Sequence, residues 1–190
     1  MLVNEIFYSL QGEGHWSGTP MVFIRLSGCN LNCSFCDTKH QEGTEMSLME
    51  IIDKVLEYPT ERVCITGGEP CIQDLSGLLI AMQDNDIQTH LETNGTIYQE
   101  CLKGFDWITV SPKGAIQKVL GIASEIKVVI SSYLDLGNAR NMYYPGSFGT
   151  EFFVQPESCR EDMTELCVQF CKTNPKWRLS LQTQKLIRMP

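Results

Sequence analysis

Runs of β-forming apolar residues alternate along this chain with helix-length segments, and that alternation restricts the fold more than any other feature. Residues 21–27 (MVFIRLS) are the first such run, ended by Gly28. Residues 62–66 (RVCIT) are the second, stopped by Gly67 and Gly68. Residues 87–92, 107–110, 125–130, 151–155 and 178–181 continue the series; Asn94-Gly95 and Pro156 punctuate it. Between them lie helical patterns. Ser47-Leu-Met-Glu50 has the spacing of a capping box. Behind it, Leu48, Ile51, Ile52, Val55 and Leu56 share one helical face. Residues 72–83 read as a second helix, and Met163, Leu166, Cys167, Phe170 and Cys171 repeat the spacing.

Strands separated by helices imply parallel β/α units. Six or seven strands suit an open parallel sheet or a partial barrel, because a complete eightfold barrel takes roughly 200 residues or more. We therefore expect an α/β fold, a partial (β/α) barrel of about six parallel strands, formed as one domain over residues 1–190. In either form ligands gather at the carboxyl ends of the strands. The motifs that end the strands are thus the places to look for chemistry.

Nine cysteines stand in the chain. The N-terminus shows no basic stretch followed by an apolar one, and no apolar run approaches the ~18 residues of a membrane span. These features lead to the expectation of a cytoplasmic protein without a membrane partner, where nine cysteines do not read as a disulfide framework. The net charge is −8 and the fifteen Lys and Arg are scattered, which argues against a nucleic-acid partner.

Three of the cysteines, Cys29, Cys33 and Cys36, form C-x3-C-x2-C directly after the first strand-like run. A structural zinc site normally has four protein ligands in two pairs. Fully ligated four-iron clusters take four cysteines, so a compact set of three would leave one iron open. Three readings stand on spacing alone: an open cluster, a zinc site completed by a distant ligand such as His40, or three unrelated thiols. Cys64, Cys167 and Cys171 read as small apolar packing residues. Cys71, Cys101 and Cys159 show no ligand spacing, and His15, His40 and His90 are isolated.

Other strand ends carry candidate groups. Gly67 and Gly68 allow close approach to the backbone, and Glu69 adds a carboxylate; the plain alternative is a strand-to-helix turn opened by Pro70. Ser111-Pro112-Lys113 offers a hydroxyl, a fixed turn and a cation, or a simple turn. Arg25 is a charge inside an apolar strand, costly unless paired. Glu13 or Glu92 are its expected interior partners. Thr38 is a weak ligand that could equally make a local capping bond.

The triplet, with Phe35 before its third cysteine and residues 66–70 (TGGEP) after the next strand, resembles the radical S-adenosylmethionine enzymes. Finer matches follow in order: residues 9–14 (SLQGEG), Arg25, 36–38 (CDT), 92–96 (ETNGT), 111–113 (SPK), 155–157 (QPE) and 181–185 (LQTQK). Together they resemble one family in that superfamily, the 7-carboxy-7-deazaguanine synthases, over nearly the whole chain.

The resemblance implies a lyase that uses a 4Fe-4S cluster, S-adenosylmethionine and Mg²⁺. It would turn 6-carboxy-5,6,7,8-tetrahydropterin into 7-carboxy-7-deazaguanine with loss of ammonia, in queuosine-type biosynthesis. Cleavage of the cofactor supplies a 5′-deoxyadenosyl radical that takes hydrogen from the pterin. Cys29, Cys33 and Cys36 would hold the cluster and Thr38 the magnesium. Phe35, Cys36, Asp37, Gly68, Glu69, Ser111, Pro112, Lys113, Gln155, Pro156, Glu157 and Ser158 would hold S-adenosylmethionine, with Glu69 toward its ammonium. Leu10, Gln11, Gly12, Arg25, Thr66 and Pro190 would bind substrate, with Arg25 and Glu92 catalytic and the free carboxylate of Pro190 on the pterin edge. A flavodoxin- or ferredoxin-like electron donor and a homodimer are implied as well. Two positions depart from the family: Gln184 stands where His is common, and Arg188 where Gly is frequent. A glycyl-radical activase would share the triplet and the glycines but would not need Arg25, Thr38 and Pro190 together. A non-catalytic zinc module is the rival from another class.

Overall fold

The computed structural model describes residues 1–34, 36, 38–113, 117–142 and 149–189. One sheet runs through it. Its strands are β1 (Leu2–Leu10), β2 (Pro20–Leu26), β3 (Thr44–Glu45), β4 (Arg62–Gly67), β5 (Gln88–Thr93), β6 (Trp107–Val110), β7 (Glu125–Ile130), β8 (Glu151–Pro156) and β9 (Trp177–Leu179). Their order is β3-β1-β2-β4-β5-β6-β7-β8-β9. From β2 through β4 to β9 every pairing is parallel, which makes seven parallel strands. β1 and β3 add an antiparallel edge.

From β4 onward the spatial order follows the sequence without reversal. Right-handed crossovers then place the connecting helices on one face, and strand twist curls the other face into a trough. A doubly wound sheet needs a reversal of order, so the arrangement is a barrel left open between β3 and β9. The helices are α1 (Leu48–Leu56), α2 (Ser76–Gln83), α3 (Gln117–Leu120), α4 (Tyr133–Met142), α5 (Glu161–Thr173) and α6 (Thr183–Ile187). The capping box at α1 forms as expected: Ser47 Oγ accepts from the Glu50 amide, and Glu50 accepts from the Ser47 amide at 2.7 Å.

Strand alternation divides the residues between two faces. Val22, Ile24, Leu26, Val63, Ile65, Leu91, Ile126, Val128 and Val154 pack with Ile51, Val55, Leu78, Met82, Cys167 and Phe170 in the main core. The opposite positions carry Phe23, Arg25, Cys64, Thr66, Glu92, Lys127, Val129 and Gln155, all of which line cavities. At the base of the trough Met21, Phe23 and Cys64 make a small second core with Phe7 and Trp16.

Several elements differ from the sequence reading. β1 is a nine-residue strand where the sequence reading placed none, because its polar Asn4, Glu5 and Ser9 interrupt the apolar β pattern. The helix read over 72–83 is a short 3₁₀ turn, Pro70–Ile72, and then α2. Between them Gln73 is extended and ties its side chain to Leu2 N at 2.9 Å, Leu2 O at 2.9 Å and Ser27 O at 3.2 Å. Helices α3, α4 and α6 were not foreseen; α4 buries only Leu136 and Ala139, too weak a stripe to read.

Candidate active site

The cysteine loop leaves β2 at its carboxyl end. Gly28 has φ +90°, which side-chain-bearing residues rarely adopt, and its amide donates to His40 O at 2.7 Å. The Glu69 amide donates to Gly28 O at 2.9 Å, so the loop is fastened to the end of β4. Gly68 makes this possible: a Cβ there would lie 2.2 Å from Gly28 O and 2.8 Å from Cys29 Cβ. The turn after β5 grips the same loop, with Asn94 Nδ2 on Asn30 Oδ1 at 3.0 Å and Asn30 Nδ2 on Thr96 Oγ1 at 2.9 Å.

Cys29, Cys33 and Cys36 line one cavity of about 210 Å³ with Gly68, Ser111, Lys113, Gln155, Glu157 and Ser158. Among the described residues no three His, Cys, Asp or Glu side chains gather closely enough to hold a single metal ion. The three thiols line one shared space. Zinc draws its thiolates to about 2.3 Å, whereas a four-iron cluster takes each on a different iron. The arrangement fits the cluster. His40 lines a different cavity and does not complete a zinc set.

Ser111, Lys113, Gln155, Glu157 and Ser158, the residues expected at the cofactor, share this cavity with the thiols. Lys113 Nζ donates to Ser111 Oγ at 3.1 Å, and burial holds its ammonium below the ordinary lysine range. Ser158 and Cys159 have φ of 49° and 55°, strain of the kind that collects at ligand sites. Three expectations meet a different placement. Glu69 is fully buried and lines neither cavity. Its carboxylate accepts from Thr93 Oγ1 at 2.7 Å, Asn94 N at 2.6 Å and Cys71 N at 3.0 Å, which pins β4 to β5 and leaves the carboxylate inside the wall. Pro112 and Pro156 also line neither cavity; each turns the chain so that its neighbours do. Phe35, Asp37 and Pro190 lie outside the described residues.

A larger cavity of about 1060 Å³ adjoins the first, the two sharing Glu13, Thr38, Gly67, Glu92, Gln182 and Lys185. Leu10, Gln11, Gly12, Arg25 and Thr66 line it. The partner of Arg25 is neither Glu13 nor Glu92. Its Nε donates to Glu5 Oε1 at 2.7 Å, because Glu5 is the facing residue across β1 and β2. Among the described residues its two terminal nitrogens make no hydrogen bond within the protein. Cys64, read as plain packing, also reaches the floor of this cavity.

Sequence reasoning missed Lys127 and gave Glu13 no site role. Lys127 Nζ lies 2.7 Å from Glu13 Oε2 and 3.1 Å from Glu92 Oε2. Gln182 and Gln184 donate to Glu13 Oε1 at 3.0 and 2.9 Å, and Gln11 donates to Glu92 at 3.3 Å. Burial raises the Glu13 carboxyl, but the Lys127 charge and these hydrogen bonds outweigh it and bring the pKa down to about 2. For Glu92 burial prevails over Lys127, with Glu13 and Glu125 adding repulsion, and the pKa rises to about 7. The signal was available: Lys127 interrupts residues 125–130 (EIKVVI) as Arg25 interrupts its own strand.

The family model of the Radical SAM superfamily matches residues 23–130. A 7-carboxy-7-deazaguanine synthase of Bacteroides thetaiotaomicron is 46% identical over 97% of this chain and 96% of that protein. One from Escherichia coli is 34% identical over 98% of each. The crystal structure of QueE from Escherichia coli superposes with a TM-score of 0.81 at 32% identity, covering 96% of this chain and 93% of that one.

Proposed function

The chain belongs to the Radical SAM superfamily and, within it, to the family of 7-carboxy-7-deazaguanine synthases, and from that membership we propose how its two cavities divide the reaction. It is a lyase of 7-deazapurine biosynthesis, and its family implies a 4Fe-4S cluster and S-adenosylmethionine. The small cavity takes both. The large one takes 6-carboxy-5,6,7,8-tetrahydropterin. The observation that carries this reading is the shared wall: a thiol-lined space opens beside a polar one, with Glu92 and Thr38 on both. When bound, the cluster and S-adenosylmethionine supply the reducing electron and the radical that starts the ring contraction.

The chain's own residues bind and orient. Cys29, Cys33 and Cys36 ligate the cluster. Gly68, Ser111, Lys113, Gln155, Glu157 and Ser158 hold S-adenosylmethionine, and Phe35 and Asp37 flank it in the cysteine loop. Arg25 offers its terminal nitrogens to the substrate carboxylate, the bidentate geometry for which guanidinium is suited. Gln11, Gly12, Leu10 and Thr66 position the ring, and Pro190 is a further substrate contact. Glu92 stands where it can hold or release a proton near neutral pH. Thr38 contributes a hydroxyl oxygen to Mg²⁺, which accepts few protein ligands and keeps waters. The chain acts as one cytoplasmic domain, a homodimer reduced by a flavodoxin- or ferredoxin-like donor. No described helix is long and apolar enough to cross a membrane.

The test is anaerobic reconstitution with iron and sulfide, then incubation with S-adenosylmethionine, a reductant, Mg²⁺ and the pterin. We expect 7-carboxy-7-deazaguanine and ammonia. Cofactor cleavage without deazapurine would sink the substrate assignment; no cleavage at all would sink the radical reading. Arg25→Ala should retain the cluster and lower kcat/KM for the pterin on the order of 100-fold, as a lost charge-assisted fork would.

A further inference from the structure

Lys127 is 3% exposed, stands mid-strand in β7 and faces the trough. It touches two carboxylates from distant parts of the chain: Glu13 in the loop after β1, at 2.7 Å, and Glu92 in β5, at 3.1 Å. Glu13 and Glu92 line both cavities, and Lys127 lines the smaller one. Among the described residues, the other titratable or charged groups around this cluster include Glu125, two residues back on β7, Lys113 in the segment after β6, Lys185 on both cavities, and Arg25 and Cys64 on the larger one. Gln11, Gln182 and Gln184 complete the surroundings as neutral donors. A lysine buried among three carboxylates is retained at a desolvation cost that an apolar residue would avoid. Here it joins the N-terminal loop to the sheet where the two cavities meet.

We propose that Lys127 is a positioning residue for the reaction, holding Glu13 and Glu92 in fixed places on the wall between the cofactor and substrate cavities. This rests on the assignment of the larger cavity to the pterin. Lys127 acts through the two carboxylates. Glu13, held by Lys127, Gln182 and Gln184 together, presents a permanent negative charge to the hydrogen-bond donors of a ring bound in the cavity. Glu92, held by the same ammonium, is left able to exchange a proton. Without Lys127 both carboxyls take up protons at higher pH and Glu13 loses its strongest tether.

The experiment is a double-mutant cycle between Lys127→Met and Glu13→Gln in the reconstituted enzyme, with kcat/KM for the pterin as one readout and ¹³C-glutamate titration as the other. We expect Lys127→Met to lower kcat/KM on the order of 100-fold in the wild-type background, the scale of a misplaced contact. In the Glu13→Gln background the same change should cost no more than about 5-fold, because the group it positions is gone. Lys127→Arg, which keeps the charge, should recover part of the loss. In the titration, the Glu13 carboxyl should move from about 2 toward the ordinary range in Lys127→Met. Equal losses in both backgrounds, or an unmoved Glu13 signal, would overturn the proposal. Should Lys127→Met not fold, the Lys127→Met/Glu13→Gln protein removes both charges of the pair and is compared with Glu13→Gln alone. If the wild-type enzyme makes no deazapurine, the substrate assignment fails, yet the titration still decides what Lys127 does to Glu13.

Discussion

Arg25 and Lys127 share a sequence signature, a cation within an apolar strand, and the fold gives them different tasks. Arg25 spends Nε on Glu5 and keeps its fork toward the larger cavity. Lys127 is wholly engaged by its neighbours. Glu13 and Glu92 then titrate in opposite directions, which makes pH a probe of the site. Glu92 ordinarily ionises near 4.5 and does so near 7 here, so the stability it contributes is fully present below 4.5 and is lost as pH rises toward 7. Glu13 works the other way: its contribution is present above 4.5 and is lost as pH falls toward 2. Glu92→Gln should abolish the first trend and leave the second. Unfolding midpoints measured from pH 4.5 to 7.5 should show the wild type losing about 1–3 kcal/mol relative to Glu92→Gln across that window. Parallel curves would show that Glu92 ionises normally.

At the scale of elements, the contact between the end of β4 and the cysteine loop depends on glycine. Gly67 has φ +153°, with a would-be Cβ 2.2 Å from Leu26 O, and Gly68 faces Gly28 O at the same distance. These neighbours are backbone and cannot swing aside. Gly68→Ala must therefore displace the loop that carries Cys29. We expect it to fold with its main core intact and to hold less than about half the wild-type iron and sulfide after reconstitution, a loss of preorganisation at the metal site. Full iron content in Gly68→Ala would show that the loop tolerates the shift. The strand-ending glycines and the C-x3-C-x2-C spacing were legible in the sequence because each is a local statement about backbone and ligands. The burial of Glu69 was not. The Cys71 donor is local, two residues on, but the Thr93 and Asn94 donors that draw the carboxylate into the wall come from another strand and the turn after it.

For the whole molecule, the open barrel is closed from one side by its two ends. The Thr183 amide donates to Gly12 O at 3.0 Å, and Thr183 Oγ1 bonds the same oxygen. Gln182 and Gln184 reach Glu13 from α6 and the residue before it. Gln184, which departs from the His common in the family, thereby takes part in ordering the wall of the larger cavity. Removing residues 182–190 should leave the cysteine loop and cluster content largely unchanged and lower pterin turnover on the order of 100-fold or more, read from iron analysis and product formation on one preparation. Retained turnover would show that the C-terminal segment is dispensable.

The sequence by itself determined the strand–helix alternation, the parallel sheet, the cysteine loop and the family motifs, since each rests on short-range spacing: period two in strands, 3.6 in helices, fixed intervals between ligands. It also marked Arg25, because a charge in an apolar run is visible without a fold. Only the tertiary structure decided which charge meets which. Glu5 faces Arg25 because β1 pairs antiparallel with β2, and Lys127 reaches Glu13 across more than a hundred residues because β7 and the N-terminal loop line one trough. Those pairings follow from strand order and register, which depend on the packing of the whole sheet and are encoded at no single position.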